Sequence, residues 1–567
     1  MASPMKIVVV GGVAAGPKAA ARARRCDPTA EITLFEQGEF VSYAGCGLPF
    51  FISGAIPDIK ELLATPVGVV RDAGFFKNVK GFDLRTGKRV TAIERGKKQV
   101  QVTDVKTGEV ETAPYDRLVL ATGARPVRPP IEGIDLGNIF PLQTPKHALE
   151  IREAIERDKV KKAVLIGAGW IGLEVTEALV HRGIEVTLVE ALDFVAPNLL
   201  DFEIAALLSR HLTEKGVAVR TQERAARFIG NSEGKVKKVV TDKGEYDADL
   251  VLIAIGVRPN VDLAREAGLE LGQTGAIKVD DYLRTSDPDI YAGGDCIESK
   301  HLLTGKPAFV SSGQLANIHG RIIGTNLTGG QETFKGFVGT SIAKVFDFSV
   351  GAAGLKESVA RDLGFDVETA LVPGPDHAHY YPQSGVVGLK MVADRKTRRL
   401  LGVQVVGPGD GSKRIDVAAT AITLGATLDT MSQLNLAYSP PFSSALDNLL
   451  VAANVMLNKL EGRAPSVTPM AVQEMTEQGQ DFMLLDVRTP QEFNEIRLKN
   501  PNTFFMPLGR LREKAPEFPK DKTIIPFCKL SLRGYEAVKI LEGLGFKDVK
   551  FMDGGVVQWP YELEKPQ

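Results

Sequence analysis

Short, wholly apolar runs of the kind that parallel strands bury on both faces punctuate this chain. The first, Lys6–Val10, leads into Gly11-Gly-Val-Ala-Ala-Gly16 and an Ala/Arg-rich helical stretch to about Arg25. A second run over 31–35 closes on Glu36, 20 residues past the last glycine of that turn. This is the pattern of a βαβ unit, and it recurs. A run at 163–166 meets Gly167-Ala-Gly-Trp-Ile-Gly172, a helix follows, and the strand 185–189 closes on Glu190. Runs at 118–124, 250–260 and 285–295 read as strands ending in glycine turns that carry Thr122-Gly123, Gly256 and Gly294-Asp295. From 331 to 455 strands (340–346, 388–393, 400–406) give way to helices (412–424, 430–434). A Gly/Pro-containing linker over 462–469 then starts a separate α/β stretch, with strands near 482–486, 523–528 and 551.

The repeated unit carries a specific chemistry. Bare glycines let backbone N–H groups approach a pyrophosphate, and a helix N-terminus offsets its charge. The acid at the end of the second strand accepts hydrogen bonds from a ribose. Gly11, Gly12, Ala15, Gly16 and Glu36 form one such set, with Val13 where the second glycine of the fingerprint would stand. Gly167, Gly169, Ile171, Gly172 and Glu190 form the other, which is complete. A carboxylate at Glu190 repels a 2′-phosphate, so the second unit is expected to prefer NADH over NADPH. Two units in one chain point to two nucleotides facing each other.

Composition narrows the picture. The 567 residues are 44% hydrophobic and 25% charged, enough for several domains. Lys+Arg number 69 against 70 Asp+Glu, a net charge of −1 that argues against nucleic acid or a membrane surface as partner. The longest apolar stretch, near 250–257, is far short of the ~20 residues a bilayer needs. Cys26, Cys46, Cys296 and Cys528 are the four cysteines, without C-x-x-C or zinc spacing, so neither a metal nor a disulfide framework is expected. So few thiols suit a reducing, cytoplasmic setting. The apolar N-terminus reads as a strand rather than a leader, since basic residues follow it.

Together the two glycine units, the Ala-Thr-Gly strand at 118–124 and the Gly-Asp segment resemble the two-dinucleotide-binding flavoprotein disulfide reductases over residues 5 to 455. The resemblance implies an α/β fold with two Rossmann-like domains: FAD in 1–150 and 276–330, NAD(H) in 151–275. An α+β dimerisation domain over 331–460 would make a homodimer. Thr122, Gly123, Gly256, Gly294 and Asp295 then line the cofactor sites, with Asp295 on the FAD ribityl chain.

The thiol chemistry centres on Ser42-Tyr-Ala-Gly-Cys46-Gly-Leu-Pro-Phe50. Cys46 stands alone, so it must pair with an external sulfur or cycle through a sulfenic acid. Attack on sulfur needs a thiolate, and lowering a pKa of ~8.5 by two or three units takes roughly 3–4 kcal/mol. A helix N-terminus supplies at most ~2 kcal/mol, leaving the rest to a flavin or a nearby hydroxyl. The segment resembles the single-cysteine motif of coenzyme A disulfide reductases, with Gly45 in place of the usual Asn. By that resemblance Lys18, Arg22 and Arg25, on one helical face, hold coenzyme A phosphates, with Ser42, Lys80 and Asn317 in further contact. Leu446 falls where the family has a basic residue. Tyr438 and Tyr380 correspond to tyrosines that reach the active-site sulfur from the partner subunit. Cys26 and Cys296 read as packed small residues, and no histidine falls in a catalytic context.

Residues 466–567 resemble the rhodanese sulfurtransferases, an α/β domain in which Cys528 would carry sulfane sulfur and Arg533 would end the loop. The usual loop glycine is absent, Ser531 and Leu532 preceding Arg533, and the common Gly-His after Phe493 is missing. The combined expectation is an NADH-dependent FAD enzyme reducing coenzyme A persulfide, polysulfide and coenzyme A disulfide through Cys46. The alternatives are an NADH oxidase or peroxidase cycling through a sulfenic acid, and a slow redox-sensing sulfur relay.

Overall fold

The structure is a computed structural model describing residues 3–566. Contacts divide the chain into two compact units, Met1–Ala191 with Glu223–Phe337, and Leu192–Gln222 with Val338–Gln567.

In the first unit, Lys6–Val10 pairs in parallel with Glu31–Glu36 on one side and Arg117–Leu120 on the other. Ile290–Ala292 and Asp83–Thr86 complete five strands. Val9, Leu34 and Leu118 to Leu120 are fully buried, which is why these runs are continuous rather than alternating. The helix Ala15–Cys26 lays Ala19, Ala20 and Ala23 on this core. Against it lies Gly313–Asn326, at a distance only glycine permits. A Cβ on Gly320 would sit 2.5 Å from the Ala15 carbonyl oxygen, and one on Gly324 2.5 Å from that of Ala19. The second βαβ repeat builds a parallel sheet in which Lys162–Ile166 lies between Glu185–Val189 and Leu250–Ile253, with Ile139–Pro141 beyond.

Two of the expected strands end in glycine turns, as their sequences indicate, and a short strand resumes beyond each turn. The run over 118–124 stops at Leu120 and resumes as Ala124–Pro126; that over 250–260 stops at Ile253 and resumes as Val257–Pro259. Gly123 (φ 66°) and Gly256 (φ 105°) turn the chain, and the two resumed pieces pair antiparallel.

In the second unit an antiparallel sheet runs Thr340–Val345, Phe348–Gly354, Leu400–Gly407, Val386–Asp394, Val367–Leu371. Val386–Asp394 is buried along nearly its whole length, and Lys390 within it is 1% exposed. Its ammonium meets Glu203 at 2.5 Å, Glu357 at 2.7 Å and Asp201 at 3.0 Å. This cluster ties the helix Phe202–Glu214 to the sheet. In the C-terminal part Phe482–Asp486 lies between Thr503–Phe505 and Thr523–Phe527, all parallel. The expected linker is partly structure: Ala464 is buried, and Ser466–Val467 pairs in parallel with Phe551–Met552. The expected helix at 430–434 instead covers Leu428–Met431, where Thr427 caps its N-terminus. Among the described residues no helix is long and apolar enough to cross a membrane.

Candidate active site

Both glycine turns emerge at the C-terminal ends of parallel strands, where open α/β sheets place ligands. Their geometry is nearly the same. A Cβ on Gly11 would lie 2.1 Å from the Ala121 carbonyl oxygen, and one on Gly16 2.0 Å from that of Gly11. The matching distances are 2.5 Å from Gly167 to the Ala254 oxygen and 2.0 Å from Gly172 to the Gly167 oxygen. Gly169 instead faces open space, as backbone approach to a pyrophosphate requires. Gly12 N–H donates to Glu36 at 2.7 Å and Ala168 N–H to Glu190 at 2.8 Å, fixing each carboxylate beside its turn. Residues of both turns therefore fit a dinucleotide. Ala15 is buried beneath the Gly294 turn, while Ile171 is partly exposed.

Thr122 and Asn260 bond reciprocally, hydroxyl to carbonyl at 2.7 Å and amide to carbonyl at 2.8 Å, so the Thr122-Gly123 turn is clamped to the Gly256 segment. Asp295 accepts from Ser312 N–H at 3.1 Å and from the Ser311 hydroxyl. Gly294 N–H donates to His319 Nδ1 at 3.2 Å. That imidazole is 2% exposed, and burial pushes its pKa down to about 4. A neutral histidine thus holds the Gly-Asp turn, a residue the sequence reading passed over because its partner is a backbone amide.

Cys46 is exposed, on a single turn, Gly45–Gly47, ahead of the short helix Leu48–Ser53. The surrounding side chains work against the thiolate, and only a backbone amide favours it. Desolvation of the sulfur, then the carboxylates of Glu174 and Asp295, push the thiol up, against its own backbone amide. Glu174, on the helix Trp170–His181, is itself raised to about 7 by burial and Glu177. It had no local signal, being one more acid in a helical stretch.

The basic face is only partly free. Lys18 and Arg25 are exposed, but Arg22 donates to Thr325 Oγ1 at 2.9 Å and stands 3.7 Å from Glu332. Arg321, one helical turn past the exposed Asn317, shares Glu332 at 3.4 Å and widens the cationic strip. Lys80 lies over the Phe75 ring, and Ser42 (φ 49°) donates its N–H to Gly12. Cys296 is buried, as expected. Cys26 is not: it ends its helix exposed.

In the second unit the two tyrosines come together. Tyr380 and Tyr438 are 67% and 52% exposed, and a hydrogen bond between their phenols raises Tyr380. Tyr381, Phe442 and Leu446 are exposed beside them in sequence. The loop below is held at its base by Arg414, which pairs with Asp447 at 2.8 Å, while Ser443 donates to Asp447.

Cys528 is 1% exposed, at the end of Thr523–Phe527. Its carbonyl and that of Lys529 accept from Val556 and Val557. Arg533 forms a two-pronged pair with Glu492 at 2.8 and 2.7 Å. That pair, with Thr489, holds the Glu492 carboxyl at about 2, and Glu492 also closes the capping box of Pro490–Glu495. Ser531, where the loop glycine is missing, has φ +83°.

Residues 5–316 match the pyridine nucleotide-disulphide oxidoreductase family, 340–450 its dimerisation domain and 468–561 the rhodanese-like domain. The chain belongs to that family of FAD-dependent, NAD(P)H-using oxidoreductases, extended by a rhodanese-like domain. Among solved structures it is similar to a NAD-dependent persulfide reductase from A. fulgidus, with 44% identity, TM-score 0.93, and 98% and 100% of the two chains covered. It is also similar to reduced CoADR-RHD from Bacillus anthracis, with 36% identity, TM-score 0.91 and 98% of each chain. A CoA-dependent NAD(P)H sulfur oxidoreductase of Pyrococcus furiosus is 40% identical over 80% of this chain and 99% of its own.

Proposed function

We propose that the chain is an NADH-dependent reductase of coenzyme A persulfide and polysulfide, and of coenzyme A disulfide, acting as a cytoplasmic homodimer. The observation that carries this reading is the pair of thiols: an exposed, solitary Cys46 beside the nucleotide turns, and a buried Cys528 in a loop ending on Arg533. Residues 1–150 and 276–330 bind FAD, 151–275 NAD(H), 331–460 dimerise and 466–567 carry sulfur. FAD, when bound, supplies a two-electron relay between nicotinamide and sulfur.

The chain's own groups do the rest. Lys18, Arg22 and Arg25, with Ser42, Lys80 and Asn317, hold the coenzyme A moiety so that its sulfur meets Cys46. The Cys46 thiolate attacks the coenzyme A sulfur of the persulfide; the sulfur–sulfur bond breaks and hydrosulfide leaves. Tyr438 and Tyr380 of the partner subunit offer a phenol hydrogen bond to the departing sulfur. Two-electron reduction of the mixed disulfide then frees coenzyme A and restores Cys46. Cys528 receives sulfane sulfur and passes it to coenzyme A, which gives a rhodanese-like domain a purpose that plain disulfide reduction lacks.

The test is anaerobic NADH oxidation with coenzyme A persulfide, polysulfide or coenzyme A disulfide, with sulfide quantified. Sulfide equal to NADH consumed is expected, and Cys46→Ser should lower turnover by about a thousandfold or more, as for loss of a nucleophile. Full turnover by Cys46→Ser sinks the mechanism. NADH consumption only after air is admitted would instead establish the oxidase.

A further inference from the structure

The loop around Cys528 holds one residue that its own resting state does not explain. Ser531 sits at φ +83°, ψ −38°, a backbone region that glycine enters freely and a serine does not. Its hydroxyl is shut away from solvent with no hydrogen-bond partner, although a buried hydroxyl normally has one. Ser531 is also the residue before the helix Leu532–Gly543, yet its side chain does not cap that helix. Strained backbone and an unsatisfied donor both destabilise the loop as it stands, and glycine would remove both.

The surroundings say what is missing. The carbonyls of Cys528 and Lys529 are turned outward and taken by Val556 and Val557 at 3.0 and 3.3 Å. Gly555 backs the loop so closely that a Cβ there would lie 2.4 Å from the Cys528 carbonyl oxygen. Ahead of the helix, no N–H of residues 529–531 donates to a backbone carbonyl. The loop is therefore rich in donors around the Cys528 sulfur, which the Arg533 guanidinium also faces. A persulfide extends Cys528 Sγ by one sulfur–sulfur bond, about 2.05 Å, and brings an anionic acceptor into this loop.

We infer that the Ser531 hydroxyl is a positioning donor to the terminal sulfur of a Cys528 persulfide, holding it until a thiol acceptor arrives. This rests on Cys528 being a sulfane-sulfur carrier, as proposed above. Transfer then balances without an oxidant or reductant. The acceptor thiol sulfur bonds to the terminal sulfur as the Cys528 Sγ–sulfur bond breaks. Cys528 leaves as thiolate, and the acceptor's proton ends on the product persulfide.

The test uses the full-length FAD-loaded protein, charged with inorganic polysulfide, desalted and followed by cyanide-labile sulfur, with Cys528→Ser as the blank. Ser531→Gly and Ser531→Ala should lose that sulfur about tenfold faster than wild type, the effect of one hydrogen bond to a charged acceptor. Ser531→Asn keeps a donor and tolerates positive φ, so it should retain most of the wild-type lifetime. Ser531→Gly relaxes the backbone, and its melting temperature should equal or exceed wild type, which separates a lost donor from a weakened fold. An unchanged lifetime in Ser531→Gly overturns the inference while leaving the carrier role intact. Wild type holding no more labile sulfur than Cys528→Ser overturns the carrier role itself.

Discussion

His319 shows how a single buried group sets a pH limit. Its folded pKa, about 4, lies below the ordinary 6.5, so the unfolded chain binds the extra proton between those values. Stability is therefore full above pH 6.5 and is lost as pH falls toward 4, by up to about 3 kcal/mol at 1.36 kcal/mol per unit. Urea unfolding across that range should show the slope, and His319→Gln, which keeps an acceptor for Gly294 N–H, should remove it. Equal slopes in both proteins would contradict the assignment. At this scale the sequence was legible where backbone geometry leaves no choice, as at Gly11, Gly16, Gly167 and Gly172. It was silent about Glu174, whose carboxylate matters only through its neighbours in space, and misleading about Cys26, whose exposure depends on where its helix stops.

Helix contact carries the next prediction. Gly320 and Gly324 bring Gly313–Asn326 against Ala15–Cys26, placing Asn317 and Arg321 alongside the Lys18 and Arg22 stems. Gly320→Ala would drive a methyl to 2.7 Å from the Lys18 Cβ and 2.5 Å from a carbonyl oxygen, neither of which can yield cheaply. Overpacking of this kind costs about 1–3 kcal/mol. Thermal denaturation should show the loss, together with weakened coenzyme A binding as the cationic strip is displaced; wild-type values for both would show that the helices are free to separate. The βαβ units and most strands were readable from apolar runs. The turns at Gly123 and Gly256 were readable too, from the glycines that close each run; the antiparallel pairing of the short pieces beyond them was not, because it joins residues far apart in the chain.

Across the molecule, long-range buried charge was invisible to any pattern along the chain. Lys459, at the end of the helix Asn448–Leu460, meets Asp553 at 2.7 Å and Glu368 at 3.2 Å, with Asp553 1% exposed. Asp553 stands two residues before Gly555, which backs the Cys528 loop, and the same helix is capped by Asp447, the anchor of the tyrosine loop. Removing one partner of a buried pair costs about 3–5 kcal/mol, so Lys459→Met should lower the C-terminal calorimetric transition, and Lys459→Met with Asp553→Leu should recover most of it. A single mutant melting like wild type would show that this pair holds nothing.

That seam bears on how such chains can be recombined. Domain exchange ordinarily succeeds at exposed linkers that few contacts cross. Here a cut after Gly462 strips Lys459 of Asp553 and leaves Arg210 without the Trp559 and Tyr561 carbonyls it donates to at 2.8 and 2.9 Å. A transplanted C-terminal part is therefore compatible only with a host that supplies matching groups at 210 and 459, and substitutions on the two sides of the join are expected to covary.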